Sequence, residues 1–491
     1  MILINSSSKK TMGVFSSFLP VYVPVGCGYL LAAAHEDGID MRLVDEQIVD
    51  DPLSVIKTHV KTMSKPYIFG FSVVTAAYKS AIELSIKLKE VYPESIIVFG
   101  GIHPSAASDE VLAYEHIDVV VRGEAEKILN DLIRCIKERK PYTHLDGLSY
   151  RENGNIIHNK PGPIIKDLNN MPGFPYHLFD DKSYHLGFVV SSRGCPYNCI
   201  FCSNRITTGK FYRYRTSEST IEELELLFRD YGVKHVYFVD DNFVVNKKRV
   251  FKLIDLIKNS NIFGRMTFSF QGRADNFDPN LFKALYDTGF TSVDFGMETA
   301  SESVMKIIKK GETVAECVDA VKAAKEIGFH VSTSFIYGLP TETHEDRMGA
   351  IELSKQLDID SVKFNNATPF PGTELYEIAK KEKRLNIKGL YENFNSVSTI
   401  IENPFKKNPF SYVPQGSTEQ GIRRDIIISY MSVWFSWKRM KKLLTNPSEG
   451  QGWFNAGESF VEKIKKVPPL FLLGGVLMIK CLGALFSKES Q

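Results

Sequence analysis

Through the first 140 residues, apolar runs of three to six residues alternate with longer amphipathic stretches. The runs Ile2–Ile4, Met41–Val44, Tyr67–Ser72, Ser95–Phe99 and Val119–Val121 predict short buried strands. The stretches 28–35, 55–63, 76–91 and 125–137 carry the helical period. Strand–helix alternation of this kind predicts a doubly wound parallel sheet with helices on both faces, in which ligands bind beyond the carboxyl ends of the strands. Residues 141–185 change character, with Gly, Asn, Pro and Asp clusters, and predict a linker holding one small hairpin at 147–155. From 186 to 405 the alternation resumes with six strand candidates, at 188–192, 235–239, 266–270, 292–295, 331–336 and 361–364. Helical stretches lie between them, which predicts a partial (β/α)6 barrel with its polar strand ends on one rim. The last part, 406–491, reads as a helical C-terminal region.

Composition changes little in this picture. The chain has 491 residues, 43% hydrophobic and 24% charged, with a net charge of +2, which gives no reason to expect nucleic acid. Of seven cysteines, Cys27, Cys135, Cys317 and Cys481 are scattered, a usage that suits a reducing cytoplasm. The N-terminus has too short an apolar run for a signal peptide. Near the C-terminus, the apolar run from Val467 to Ile479 falls short of a bilayer span, and Trp434–Lys442 mixes aromatic and basic residues. A helix packed on the barrel is the expectation there, with peripheral membrane contact as the lesser alternative.

The remaining three cysteines are the informative ones. They stand in Ser192-Arg193-Gly194-Cys195-Pro196-Tyr197-Asn198-Cys199-Ile200-Phe201-Cys202, spaced C-x3-C-x2-C, after a predicted strand. One loop can aim three thiolates at one metal centre. Structural zinc takes four ligands, so zinc would need a distant fourth such as His185 or His235. A cubane cluster held by three cysteines keeps one iron open.

This loop, with Phe201 directly before the third cysteine, resembles the signature of the radical S-adenosylmethionine (SAM) superfamily. The resemblance implies a [4Fe–4S] cluster on Cys195, Cys199 and Cys202 whose open iron chelates SAM and cleaves it to a 5′-deoxyadenosyl radical. It implies SAM contacts at Phe201, Asp240, Asp241, Glu298, Ile336 and Gly338, although Asp241 also reads as a turn or helix-capping residue. In the first domain, Pro24-Val25-Gly26 before a helix, the strand ending in Ser72, the loop Gly100-Gly101-Ile102-His103-Pro104-Ser105 and Val121-Arg122-Gly123-Glu124 together resemble the flavodoxin-like cobalamin-binding domain fused to many such enzymes. That implies cobalamin contacts at Gly26, Ser72, Gly100, Gly101, His103, Arg122 and Gly123. No Asp-x-His-x-x-Gly occurs, so the implied cobalamin has no protein histidine on cobalt, and His103 reads equally well as a turn cap.

The implied function is a cobalamin-dependent radical SAM enzyme that methylates an unactivated carbon of a small-molecule or lipid-like substrate, with a flavodoxin or ferredoxin as electron donor. The runner-up is a radical cyclase or oxidoreductase of the anaerobic porphyrin-ester type. A non-catalytic cobalamin sensor or carrier is the competing non-enzyme class, and the intact cysteine set argues against it.

Overall fold

The apolar runs of the first domain become a sheet whose pleat sorts their side chains. The computed structural model describes residues 1–9, 21–180, 183–397, 399, 408–434, 475 and 479. Strands β1 (Ile2–Asn5), β2 (Arg42–Asp45), β3 (Ile68–Ser72), β4 (Ile96–Gly100) and β5 (Val119–Val121) lie parallel in the order β2-β1-β3-β4-β5. Successive side chains on a strand point to opposite faces. Met1, Leu3, Val119 and Val121 therefore pack with the helices Val25–Glu36 and Glu126–Lys137. Ile2, Ile4, Phe71 and Val120 pack on the other side, with Pro52–Val60 and Tyr78–Val91. Because both faces are covered, the strands read as continuous apolar runs. The hairpin expected in the linker is instead part of this sheet. Its strands β6 (Leu148–Glu152) and β7 (Asn155–His158) extend the edge antiparallel to β5, with Val120 opposite Ser149.

The second sheet holds β8 (Phe188–Val189), then β11 (His235–Phe238), β12 (Thr267–Gly272), β13 (Phe290–Glu298), β14 (His330–Tyr337) and β15 (Ser361–Asn366). All pairings are parallel and sequential, with a helix in each crossover. That is the open run of a partial barrel, with β8 and β15 as its edges. A separate two-stranded ribbon pairs β9 (Ser192–Arg193) with β10 (Arg213–Tyr214). Local signals set the crossover helices. Thr313 and Glu316 form a capping box at Val314–Ile327, and Asp278 caps Pro279–Tyr286, where proline takes the first position. Beneath the strands Phe238, Phe243, Phe268, Phe270 and Phe290 are fully buried in one aromatic cluster. Each contributes about 1.5–3 kcal/mol by leaving water.

The segment between the sheets joins them. Phe174, Tyr176 and Phe179 are buried in a core shared by both domains, with Phe174 edge-on to Tyr29 of the first domain and Tyr176 beside Tyr231 of the second. After the barrel the chain returns to the first domain. Tyr391 and Phe394 enter the core on its outer face, and Lys79 pairs with Glu392 at 2.8 Å. Helix Glu419–Trp434 packs on β15 and on His344–Gln356. Among the described residues no helix is long and apolar enough to cross a membrane. The C-terminal apolar run and most of the aromatic–basic stretch lie outside the described residues.

Candidate functional site

The cysteine loop is an excursion closed at its base by the β9–β10 ribbon, where Arg193 pairs with Arg213. Gly194 opens it with φ +85°, and a Cβ there would stand 2.4 Å from the Phe211 carbonyl oxygen, so the position requires glycine. Asp241, in the loop just past β11, holds both sides of the cysteine loop. It accepts from the Gly194 N–H at 3.1 Å and from Asn204 Nδ2 at 2.7 Å. Ile200 anchors the middle: its N–H donates to the Ile308 carbonyl and its carbonyl accepts from the Leu375 N–H. Cys195, Cys199 and Cys202 are free and half-buried around this anchor. Burial raises all three thiol pKa values, that of Cys202 to about 11, while Lys310 and Arg273 pull Cys199 partly back. A bound cation would have to supply the rest of the cost of deprotonation.

A buried charge cluster underlies the loop. The β13–β14 register shifts between Gly296 and Glu298, and Glu298 takes a left-handed φ of +61°. Its carboxylate meets Lys310 Nζ at 2.8 Å, and Lys310 also pairs with Glu312 at 3.5 Å. Arg273, just past β12, pairs with Asp275 and stands 3.6 Å from Glu312. Among the described residues no group of three or more His, Cys, Asp or Glu side chains is set to hold a single ion. A cubane spreads three thiolates over three irons, and the donor set here is three thiols with cations beside one of them, which fits such a cluster. Of the two histidines offered as a distant fourth zinc ligand, His235 has both ring nitrogens on hydroxyls, those of Thr267 and Ser269.

Beside the loop a cleft of about 330 Å3 opens between the two sheets. Its first-domain wall includes Gly26, Ser72, Gly100, Gly101 and Gly123, the strand-end positions expected from the sequence. Its barrel wall includes Ser192, Arg193, Thr208 and Asp241. A Cβ added at Gly26 or Gly123 would meet no protein atom within 4 Å, so these glycines leave room the protein does not fill. The apolar floor of Leu3, Leu30, Phe71 and Val98, with bare backbone around it, fits the face of a corrin. No histidine stands among the residues lining the cleft.

Several expected contact residues, among them His103, Arg122, Asp240, Gly338, Ile336 and Phe201, fall outside the lining of the cleft. His103 is fully buried away from the cleft, with Nδ1 at 3.3 Å from Thr75 Oγ1 and its ring against Tyr78 and Tyr391. The short helix that begins after Gly101 turns the side chain onto the outer face of the sheet. Arg122 also points elsewhere, donating to the carbonyls of Leu148 and Asn159 and so fastening the hairpin. The buried carboxylate of Asp240, expected at SAM, accepts from the Ser191 N–H and the hydroxyls of Ser191 and Ser192 at 2.6–2.7 Å. Gly338 has its N–H bonded to Glu342 and lies under Ile422 of the C-terminal helix, while Ile336 is half-buried within β14. Phe201 is half-buried and packs on the core behind the loop. Sequence reasoning missed Lys310, Arg273 and the domain-bridging pairs of Glu124 with Arg193 and Arg213. Lys310 stands in a Lys-Lys-Gly turn that looks like any exposed loop.

A doubly wound domain whose glycine-lined rim faces the flank of a three-cysteine loop on a partial barrel has the architecture of a two-cofactor radical enzyme. Comparison with known proteins agrees. Residues 189–354 match the radical SAM superfamily and residues 13–133 the B12 binding domain. The chain is 35% identical over 362 residues to an uncharacterized methyltransferase of Pyrococcus horikoshii, covering 72% of this chain and 78% of that one. It is 23% identical over 404 residues to the anaerobic magnesium-protoporphyrin IX monomethyl ester cyclase of Cereibacter sphaeroides, covering 79% and 64%. The fold matches the radical SAM methyltransferase TsrM of Kitasatospora setae, with TM-score 0.64, 20% identity and coverage of 77% and 76%. It also matches the cobalamin-dependent SAM radical enzyme OxsB, with TM-score 0.69, 16% identity and coverage of 98% and 71%. The chain belongs to the B12-binding radical SAM family. Its cofactors are SAM, a [4Fe–4S] cluster and cobalamin.

Proposed function

We propose that the protein is a cobalamin-dependent radical SAM methyltransferase acting on an unactivated carbon. The observation that carries this reading is the shared cleft: glycine-rich ends of β4 and β5 form one wall, and the flank of the cysteine loop forms the other. When bound, a cluster there would supply the electron for SAM cleavage and cobalamin would carry the methyl group. Cys195, Cys199 and Cys202 would hold the cluster, and Gly26, Gly100, Gly101 and Gly123 would lie against the corrin. Asp241 fixes the loop through Gly194 and Asn204, so its role is to position the cysteines. Lys310, buried beside Cys199 and held by Glu298 at 2.8 Å and Glu312 at 3.5 Å, would place a positive charge next to the cluster. The apolar walls exclude water from the reacting centre. The names of relatives support methyl transfer, and the Pyrococcus relative covers most of both chains.

The substrate of this reading is a small molecule, the electron donor is a flavodoxin or ferredoxin, and the protein works in the cytoplasm. The second reading, radical cyclisation, rests on similarity to the magnesium-protoporphyrin ester cyclases. Methyl-deuterated SAM separates the two. A methyltransferase gives S-adenosylhomocysteine together with 5′-deoxyadenosine and a labelled product. Unlabelled product, with no S-adenosylhomocysteine above background, overturns methylation in favour of cyclisation.

A further inference from the structure

Arg273 is held in a way that ion pairing alone does not require. Its Nε and Nη2 donate to the two carboxylate oxygens of Asp275, both at 3.0 Å. Nη2 also donates to the Lys310 carbonyl at 2.6 Å. The guanidinium carbon lies 3.5 Å from the centroid of the Tyr197 ring, and Tyr197 sits in the loop between Cys195 and Cys199. The Tyr197 hydroxyl is fixed in turn by Asn276 Nδ2 at 2.8 Å. With its orientation set on three sides, Arg273 aims Nη1 at Cys199 Sγ, 3.8 Å away.

We infer that Arg273 tunes the cluster by a charge-assisted N–H···S hydrogen bond to Cys199, raising its reduction potential. The inference rests on the cluster reading of the three cysteines. Reduction adds one electron, whose charge spreads onto the cysteine sulfurs. A fixed cationic donor stabilises that charge, and hydrogen bonds to sulfur are among the determinants of cluster potential. The surroundings make the effect matter. Glu298, Glu312 and Asp275 place three carboxylates around two cations, Lys310 and Arg273. Loss of Arg273 removes the donor and leaves Asp275 and Glu312 facing the cluster less well screened. Both changes push the potential the same way. Arg273 is thus a positioning and tuning residue that acts through Cys199.

The test uses full-length protein reconstituted anaerobically, with iron analysis and a dithionite redox titration followed by electron paramagnetic resonance, without SAM. Wild type should hold about four irons. Arg273→Gln should become harder to reduce by at least tenfold in equilibrium constant, about 59 mV more negative for one electron. Arg273→Lys keeps the charge but not the fork, and should shift less in the same direction. Unchanged midpoints in iron-replete variants overturn the inference. If Arg273→Gln loses its iron, Arg273→Lys decides, and an unchanged midpoint there overturns it too. If both variants lose iron, Arg273 is a brace and not a tuning residue. Iron-free wild type would instead sink the cluster reading itself, and this inference with it.

Discussion

Arg193 reaches across the domain boundary to Glu126 at 2.7 Å from a position two residues before Cys195. It also pairs with Glu124 at 3.3 Å and stands over the Tyr29 ring at 5.3 Å. The residue that introduces the cysteine loop is therefore held by the cobalamin-binding domain, and both lie on the walls of one cleft.

Glu124 is the centre of this junction. It bonds Arg193, Arg213 at 2.8 Å and the Ile165 N–H at 2.7 Å, with its side chain 4% exposed. Glu124→Ala leaves Arg213 buried without its carboxylate. Breaking one partner of such a buried pair costs about 3–5 kcal/mol. Thermal unfolding of the anaerobic protein should shift down by several degrees, and cobalamin should be retained less well. An unchanged melting temperature with full cobalamin content would contradict this account of the junction.

Two glycines on the same cleft should behave differently. Gly26→Phe places a ring where no protein atom lies within 4 Å of the Cβ, so folding should survive while cobalamin binding falls. Gly101→Ala meets the Val73 backbone at 2.8 Å and needs a φ of +95°, so it should lose stability by about 1–3 kcal/mol, with binding lost only as a consequence. Cobalamin absorbance and melting temperature, measured on both variants, separate the two effects. Full cobalamin binding by Gly26→Phe would remove the cleft from consideration.

Burial lowers the His103 pKa to about 3, so the ring is neutral in the fold. In the unfolded chain it takes up a proton near pH 6.5. Between these values the unfolded state binds more protons, so stability falls as pH drops from about 6.5 toward 3. The limiting slope is about 1.4 kcal/mol per pH unit. His103→Gln should remove that part of the acid sensitivity. Melting temperatures at pH 7.5 and 5.5 provide the check, and parallel losses in variant and wild type would refute it.

Replacing Cys195, Cys199 and Cys202 together by Ala should abolish iron binding and SAM cleavage while the sheets stay intact, because all three side chains stand outside the described core clusters. Iron analysis, 5′-deoxyadenosine formation and circular dichroism measure the three outcomes. Full iron content in the triple variant would refute the assignment, and stoichiometric zinc in wild type would point to a structural site.

Much was legible along the chain because it depends on neighbours in sequence. The C-x3-C-x2-C spacing places three thiols on one loop wherever that loop lies. Apolar runs broken by helical periods dictate parallel sheets, since only that arrangement covers both faces of each strand. Gly26, Ser72, Gly100, Gly101 and Gly123 follow from the same rule, as strand-end and helix-start positions that all reach one rim. Tertiary structure decided which side chains of those loops face the site. His103 and Gly101 are two residues apart, yet one turn of backbone sends the imidazole into the opposite core. Asp240 and Asp241 are adjacent in the loop just past β11, yet the fold gives one to the serines and the other to the cysteine loop. Arg273 follows β12, Glu298 ends β13, and Lys310 and Glu312 stand in the turn between the helices that follow β13; they become a charged floor only when the barrel brings these segments together. A local pattern reports what a residue can bury or bond, but the partner it meets is set by chain segments tens of residues away.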